Sequence, residues 1–349
     1  MIDEPLCAGL EHRRIADRRV LVKTGLGMAL ALLLAAPVVA ESQAAKVYRI
    51  GFLGLSSPAD YAENLQAFRQ GLRDLGYEEG KNISIEYRWA AGRNERLPML
   101  AAELVRLNPD VLVTHAAPGI RAAQEATSTI PIVMGAGADP VRLGFVKSLA
   151  KPGGNTTGVS SQLFELAAKR LELLRETVPN LRQVAALSVR SNLANPVGRG
   201  AVGEMEVAAP KLGVRVRSFE VGTEPSELET VLTAILRERP DGLIVIPDSL
   251  MVAHNSRIAE FAARNRLPAM GGERGFVVAG GLIAYGNDFP GGWRVAARYV
   301  ASILKGAKPA ELPIEQPTKF VLAINLKTAK RLGLTIPPSL LLRADQVTE

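Results

Sequence analysis

The chain has 349 residues, 47% of them apolar and 22% charged, with a net charge of +7. That length exceeds one ordinary core and suits two lobes. The composition excludes a disordered chain, and a charge excess spread without a basic run excludes a nucleic-acid arm. The only cysteine is Cys7, so a chain cut beyond it can form no disulfide and do no thiol chemistry.

Residues 1–40 read as a secretory signal. Lys23 and the arginines before it supply positive charge, Gly25–Ala36 an apolar run, Pro37 a helix break, and Val38-Val39-Ala40 the small residues around a cut after Ala40. The run falls short of the ~20 apolar residues that span a bilayer. Export to the periplasm is therefore expected. Gly25-Leu-Gly27 lies inside this run, follows no strand, and is not a dinucleotide motif.

From Lys46 onward, strands and helices alternate. "VYRIGFLGL" is a short apolar strand; Tyr61, Leu65, Phe68, Leu72 and Leu75 then recur at helical spacing, and Gly76 stops that helix. "NISIEYRW" is a strand, Leu97–Arg106 a helix, "DVLVT" a strand, Pro118–Ala126 a helix and "IPIVM" a strand. A short helix is expected at Val141–Leu149, then a strand in "PGGNTTGVS". A second series opens with a helix at Leu163–Thr177. It continues through "QVAALSV", "GVRVRSFEV", "DGLIVIP", "LPAM" and "GLIAYG", the first four separated by helices near Pro196–Leu212, Ser226–Arg237 and Ala253–Arg264. Asp288 is placed to cap a helix striped by Trp293, Ala297, Val300 and Leu304. A proline-rich stretch and a final strand and helix close the chain. The fold class is α/β, with two doubly wound parallel-sheet lobes.

Ligands of such sheets sit beyond the carboxyl ends of the strands. Candidate residues therefore lie in the strand-to-helix loops. Ser57 suits a helix N-cap, with Pro58 in the first turn and Asp60 in the third position, while Ser56 is free of that duty. The same helix start offers N–H groups to an anion. "THAAPG" repeats the design with His115, Ala116 and Ala117. "GAGADPV" lacks the Lys and Ser/Thr of a phosphate loop, so Asp139 is read as lining a cleft or capping a helix. In the second series Asn192, Asn195, Asp248, Ser249, Glu273 and Asp288 stand in the corresponding loops. Asp248 or Asp288 would pair with an ammonium or cap a helix. Tyr61, Phe276 or Tyr285 would cover an apolar part or belong to the core. His115 and His254 lack a close ligand partner of the H-x-x-x-H kind, so metal and cofactor are not expected. No G-x-S-x-G, H-E-x-x-H or C-x-x-C occurs, which weighs against catalysis.

"EGKNISIEYRWAAGRNERLPMLAAELV", "PGGNTTGVS", "AAKRLELLRETVPN" and "GAKPAELPIEQPTKFVLAINLKTAKRLGLTIP" resemble the substrate-binding proteins of the ABC-type transporters whose best-known members bind tryptophan and other aromatic amino acids. The likeness runs from Lys46 to Pro338. It implies the type I periplasmic binding fold: two hinged lobes, three crossovers and a cleft closing on a small molecule. Lobe 1 would comprise 46–159 plus 288–312 and lobe 2 160–287 plus 317–349, with the last crossover at 309–317. It implies a non-enzymatic, monomeric protein that takes an amino acid or related carboxylate to an inner-membrane permease. A sensing module serving a receptor, and an enzyme on the same architecture, are the alternatives. "THAAPG", with His115 and paired alanines, departs from the loop with glycines and a threonine found in many relatives, and "SVRSNLANP", with Arg190 among its polar residues, departs from one that carries Asn-Pro early.

Overall fold

The computed structural model describes residues 46–137, 139–190, 197–222 and 225–349. Residues 1–40, read as the signal, lie outside them. The first lobe is built from β1 (Tyr48–Gly54), α1 (Ala62–Asp74), β2 (Ile83–Trp89), α2 (Leu97–Arg106), β3 (Val111–Thr114), α3 (Ala116–Ala126), β4 (Ile132–Gly137) and β5 (Thr156–Ser160). The second contains α4 (Leu163–Thr177), β6 (Gln183–Val189), α5 (Val197–Leu212), β7 (Arg215–Val221), α6 (Pro225–Arg237), β8 (Gly242–Val245), α7 (Ser249–Ala253), α8 (Asn255–Arg264), β9 (Ala269–Gly271), α9 (Arg274–Val278) and β10 (Ile283–Asn287). Next come α10 (Phe289–Leu304), β11 (Phe320–Asn325), α11 (Leu326–Arg331), α12 (Pro338–Leu341) and β12 (Gln346–Thr348).

A five-stranded sheet runs β2-β1-β3-β4-β5 and a seven-stranded sheet β12-β11-β10-β9-β8-β6-β7. Among the described residues, every strand pairing is parallel except β10 with β11, where the chain re-enters the sheet in the opposite direction. In the first sheet alternate residues of β1 serve opposite faces. Ile50 and Phe52 pack with Phe68 and Leu72 of α1 and with Trp293 and Val300 of α10. Leu53 and Leu55 pack with Leu97, Leu100 and Leu104 of α2 and with Ala122 and Ala123 of α3. The second sheet is covered by α4 and α5 on one face and by α6 and α8 on the other. Both faces being buried explains the unbroken apolar strands.

The expected helix at Val141–Leu149 does not form. Asp139 Oδ1 accepts from the N–H groups of Val141 and Arg142, and Phe145 N–H donates to Pro140 O, which folds the segment as a turn.

Three crossovers join the lobes side by side. Asn287 Nδ2 donates to Ser161 O at 2.5 Å, Ser160 N–H to Glu315 O at 2.9 Å, and Asp288 N–H to Lys319 O at 3.2 Å. Gly158 sits in this ladder at φ 129°, where a Cβ would lie 2.3 Å from Met134 O. Gly158→Ala is expected to destabilise the fold by about 2–3 kcal/mol, read by urea unfolding, because both the backbone conformation and the contact forbid a side chain.

Candidate functional site

Strand order reverses between β1 and β3 in one sheet and between β6 and β8 in the other. The residues just past these strands converge on one cavity of about 110 Å3. The first lobe contributes Ser56, Asp60, Tyr61, Asn64, His115, Ala116, Ala117 and Ala136. The second contributes Leu163, Val197, Pro247, Asp248, Ser249, Val252 and Glu273; Ser161 and Phe289 come from crossovers.

An aromatic stack forms the wall of the first lobe. Tyr61 lies on His115 with centroids 4.3 Å apart and planes inclined 25°. Trp293 meets Tyr61 edge-on at 5.5 Å and His115 at 5.9 Å. Trp293 is fully buried, so it supports the stack from beneath. His115 Nε2 accepts from Leu55 N–H at 3.4 Å, which leaves the proton of the neutral ring on Nδ1. Burial lowers the His115 pKa to about 3 and pushes the Tyr61 phenol well above its ordinary value. Ala116, at the start of α3, has φ 52°. Such left-handed backbone in a residue with a Cβ costs energy and recurs at binding sites. The first N–H groups of α3 lack intrahelical partners and lie at the same cavity wall. Ser56 is 2% exposed and its Oγ has no hydrogen-bond partner among the described residues. A buried hydroxyl left unsatisfied at a cavity wall is poised for a ligand atom.

The opposite wall is acidic. Asp248 Oδ1 accepts from Leu250 N–H at 3.0 Å and so caps α7 while facing the cavity. Glu273 Oε1 accepts from Asn255 Nδ2 at 2.6 Å. Burial raises the Glu273 pKa; Asn255 and Arg274 oppose that rise, and Asp60 and Glu63 add to it. Arg274, the next residue, reaches across the cleft to Glu63 at 2.5 Å.

Ser56, Tyr61, His115, Ala116, Ala117 and Asp248 thus meet at one cavity. Ser57 is engaged elsewhere. Its hydroxyl donates to Asp60 Oδ2 at 2.6 Å, and Asp60 N–H returns a bond at 3.3 Å. This capping-box exchange closes a turn at 58–61, and the helix proper begins only at Ala62. Asp139 lines a separate groove beside the crossovers, with Ser160, Gln162 and Gln316. Phe276 is buried in the core of the second lobe. Asp288 caps α10 through Gly291 N–H and pairs with Lys319 at 3.5 Å; its neighbour Phe289 lines the cavity instead. Asn192 and Asn195 lie outside the described residues. Glu273 is named in the sequence only as one of several acids in the strand-end loops, and Asn64, Val252 and Phe289, which also line the cavity, are not marked by it at all. The signal for Glu273 is its position two residues past β9. Among the described residues, no group of three or more His, Cys, Asp or Glu is placed to hold a metal ion.

His115 gives the site a pH signature. Its folded-state pKa lies below the ordinary 6.5, so between pH 6.5 and about 3 the unfolded chain binds the extra proton. Stability from this residue is complete above 6.5 and is lost as pH falls, by about 1.4 kcal/mol per unit. His115→Asn is expected to show a shallower loss of thermal stability between pH 6.5 and 4, with the slope rather than the absolute Tm as readout.

Two parallel-sheet lobes, three adjacent crossovers and a cavity lined from both sides define a cleft-type binding protein of the type I periplasmic-binding fold. The chain matches the family of ABC transporter substrate binding proteins over residues 54–348, and it belongs to that family. It is 28% identical over 294 residues to a tyrosine-binding protein of Clostridioides difficile, which covers 84% of this chain and 83% of that protein. It is also similar to an ABC domain from Streptococcus pneumoniae solved in complex with L-Trp: TM-score 0.80, 27% identity, 86% of this chain and all of the other. A ligand-free, open substrate-binding protein from Clostridium difficile shares the fold at TM-score 0.64 and 24% identity, over 86% of this chain and 99% of that one. This is a non-enzymatic family.

Proposed function

We propose that the protein is the periplasmic receptor of an ABC importer, that it captures an amino acid between its lobes, and that it passes it to an inner-membrane permease as a monomer. The observation that carries this reading is the cavity itself. A hydroxyl and a helix start on one wall suit a carboxylate, and carboxylates on the other suit an ammonium. The Tyr61–His115 stack would cover an apolar side chain. The ligand touches both lobes, so it favours the closed arrangement by its differential affinity. The names of the relatives, tyrosine-binding and L-Trp-bound, support the ligand class. Residues 1–40 would carry the chain across the membrane and be removed. No helix among the described residues is long and apolar enough to cross it.

Isothermal titration of the protein, purified under denaturing conditions and refolded to strip any resident ligand, against the twenty amino acids is the test. Saturable binding of at least one is expected; none binding would overturn the reading. The Arg274–Glu63 pair would help hold the closed form. Its side chains are 45% and 61% exposed, so its effect is small. Glu63→Gln is expected to weaken ligand binding less than about fivefold, with the difference disappearing near 1 M salt.

A further inference from the structure

One segment of the first lobe reaches into the second without lining the cavity. Residues 139–149 join β4 to β5, so both ends of this strap are held in the first sheet. Asp139 folds the turn at its start, and Gln124 of α3 fixes its middle, Nε2 donating to Phe145 O at 2.8 Å. Phe145 and Val146 are buried in one cluster with Ala117, Ile120 and Met134 of the first lobe and with Leu163 and Val197 of the second. Leu143 packs against the core of the second lobe.

Arg142 completes the crossing. Its Nη1 donates to Glu204 Oε1 of α5 at 2.9 Å, and its guanidinium carbon lies 4.4 Å from the centre of the Phe164 ring of α4. Phe164 is 2% exposed, and its ring also lies against α5 at Gly200, where a Cβ would stand 2.2 Å from Cε1. The ring is thus covered by its own lobe and by a side chain of the other. The Arg142 and Glu204 side chains are partly exposed, so the ion pair alone contributes little. A cation over a desolvated ring adds to it, and a planar guanidinium serves ring and carboxylate together. Arg142 does not line the cavity. Glu204 stands two helical turns beyond Val197 of the cavity wall, about 10 Å along α5. Any effect of Arg142 on binding therefore passes through the placement of the lobes.

We propose that Arg142 is a positioning residue for closure: resting on Phe164 and Glu204, it biases the lobes toward the arrangement that forms the cavity before a ligand arrives. Parting the lobes here would strip the guanidinium from the ring and return Phe164 to water. A larger competent fraction tightens apparent affinity in proportion. The inference rests on the reading of two lobes that close on a ligand, but not on which ligand that is.

Spin labels test it. Cys7 is the only cysteine, so with Cys7→Ser in place, labels at Gln66→Cys of α1 and Ser256→Cys of α8, one exposed site on each lobe, report the separation of the lobes. Pulsed electron resonance on the protein refolded free of ligand is expected to show a short distance beside a longer one. Arg142→Gln is expected to lower the ratio of short to long about fivefold and Glu204→Gln, which spares the stack, about twofold; Arg142→Lys, which keeps the pair but not the planar contact, falls between them. The melting temperature is expected to stay within about 2 °C of the parent. A parent with the long distance alone, a ratio unchanged in Arg142→Gln, or a lower melting temperature at an unchanged ratio overturns the inference. The amino acid that binds most tightly of the twenty is expected to bind Arg142→Gln more weakly; unchanged affinity at a changed ratio also overturns it. The distance needs no ligand: should none of the twenty bind, the amino-acid reading falls and the strap is judged on the ratio alone.

Discussion

Glu273→Gln is expected to weaken binding of an ammonium-bearing ligand by about 10- to 100-fold without lowering the melting temperature. A hydrogen bond to a charged group contributes about 1.5–3 kcal/mol, and the substitution removes the charge while preserving shape. Glu273 already spends Oε1 on Asn255 Nδ2, at 2.6 Å, which fixes the carboxylate against the cavity. The stability half of the expectation follows from the sign of its pKa. Burial raises it, so the folded state holds the proton more tightly than the unfolded chain. Above the raised value the buried charge works against folding, and glutamine relieves that. Calorimetric titration paired with thermal unfolding separates the two effects. Unchanged affinity, or lost affinity accompanied by a lower Tm, would show that Glu273 serves the fold rather than the ligand.

Trp293→Ala is expected to be the most damaging single change in the first lobe. The indole is fully buried and touches Phe52, Phe68, Tyr61 and His115 with centroids 5.5–5.9 Å apart. Removing a large buried aromatic costs about 3–5 kcal/mol, or roughly 10 °C in Tm for a body of this size. Gly135 of β4 is part of the same arrangement, since a Cβ there would stand 2.5 Å from the indole ring. Trp293 also underlies the Tyr61–His115 stack, so the alanine variant would release that wall. Its ligand affinity is expected to fall along with its stability, whereas Trp293→Phe would keep most of both. Differential scanning calorimetry with and without ligand checks this; an alanine variant within 2 °C of the parent would refute the supporting role assigned to Trp293.

Much of this protein can be read along the chain. The helices Leu97–Arg106 and Leu163–Thr177 form with the bounds their periodicity sets. Asp288 caps α10 as its spacing from the apolar stripe implies. Reading the strand-end loops was enough to bring Ser56, Tyr61, His115 and Asp248 into view. Discrimination within a loop was harder. Glu273 and Phe276 are three residues apart after β9, yet one faces the cleft and the other is core. The short helix α9 turns Phe276 under Gly271 and Gly281, where its ring lies against their backbones, and leaves Glu273 outward as the residue before that helix. Likewise Asp288 and Phe289 exchange the roles that their chemistry suggests. The aspartate is taken by the cap and by Lys319, and the phenylalanine lines the cavity.

What the amino-acid sequence determined by itself is local in origin: alternating strands and helices, their stops and caps, and the rule that binding loops follow parallel strands. These depend on hydrophobic period and on residues within a few positions of one another. What only the tertiary structure decided is which polar groups remain unspent. Ser57 and Asp60 satisfy each other, Asp139 is consumed by its own turn, and Arg274 finds Glu63 across 211 positions of chain. Among the described residues, the Ser56 hydroxyl is left with no hydrogen-bond partner. A buried polar atom must be satisfied by whatever folds against it, and at this cleft that is settled by side chains far apart in sequence, brought together by two sheets and three crossovers.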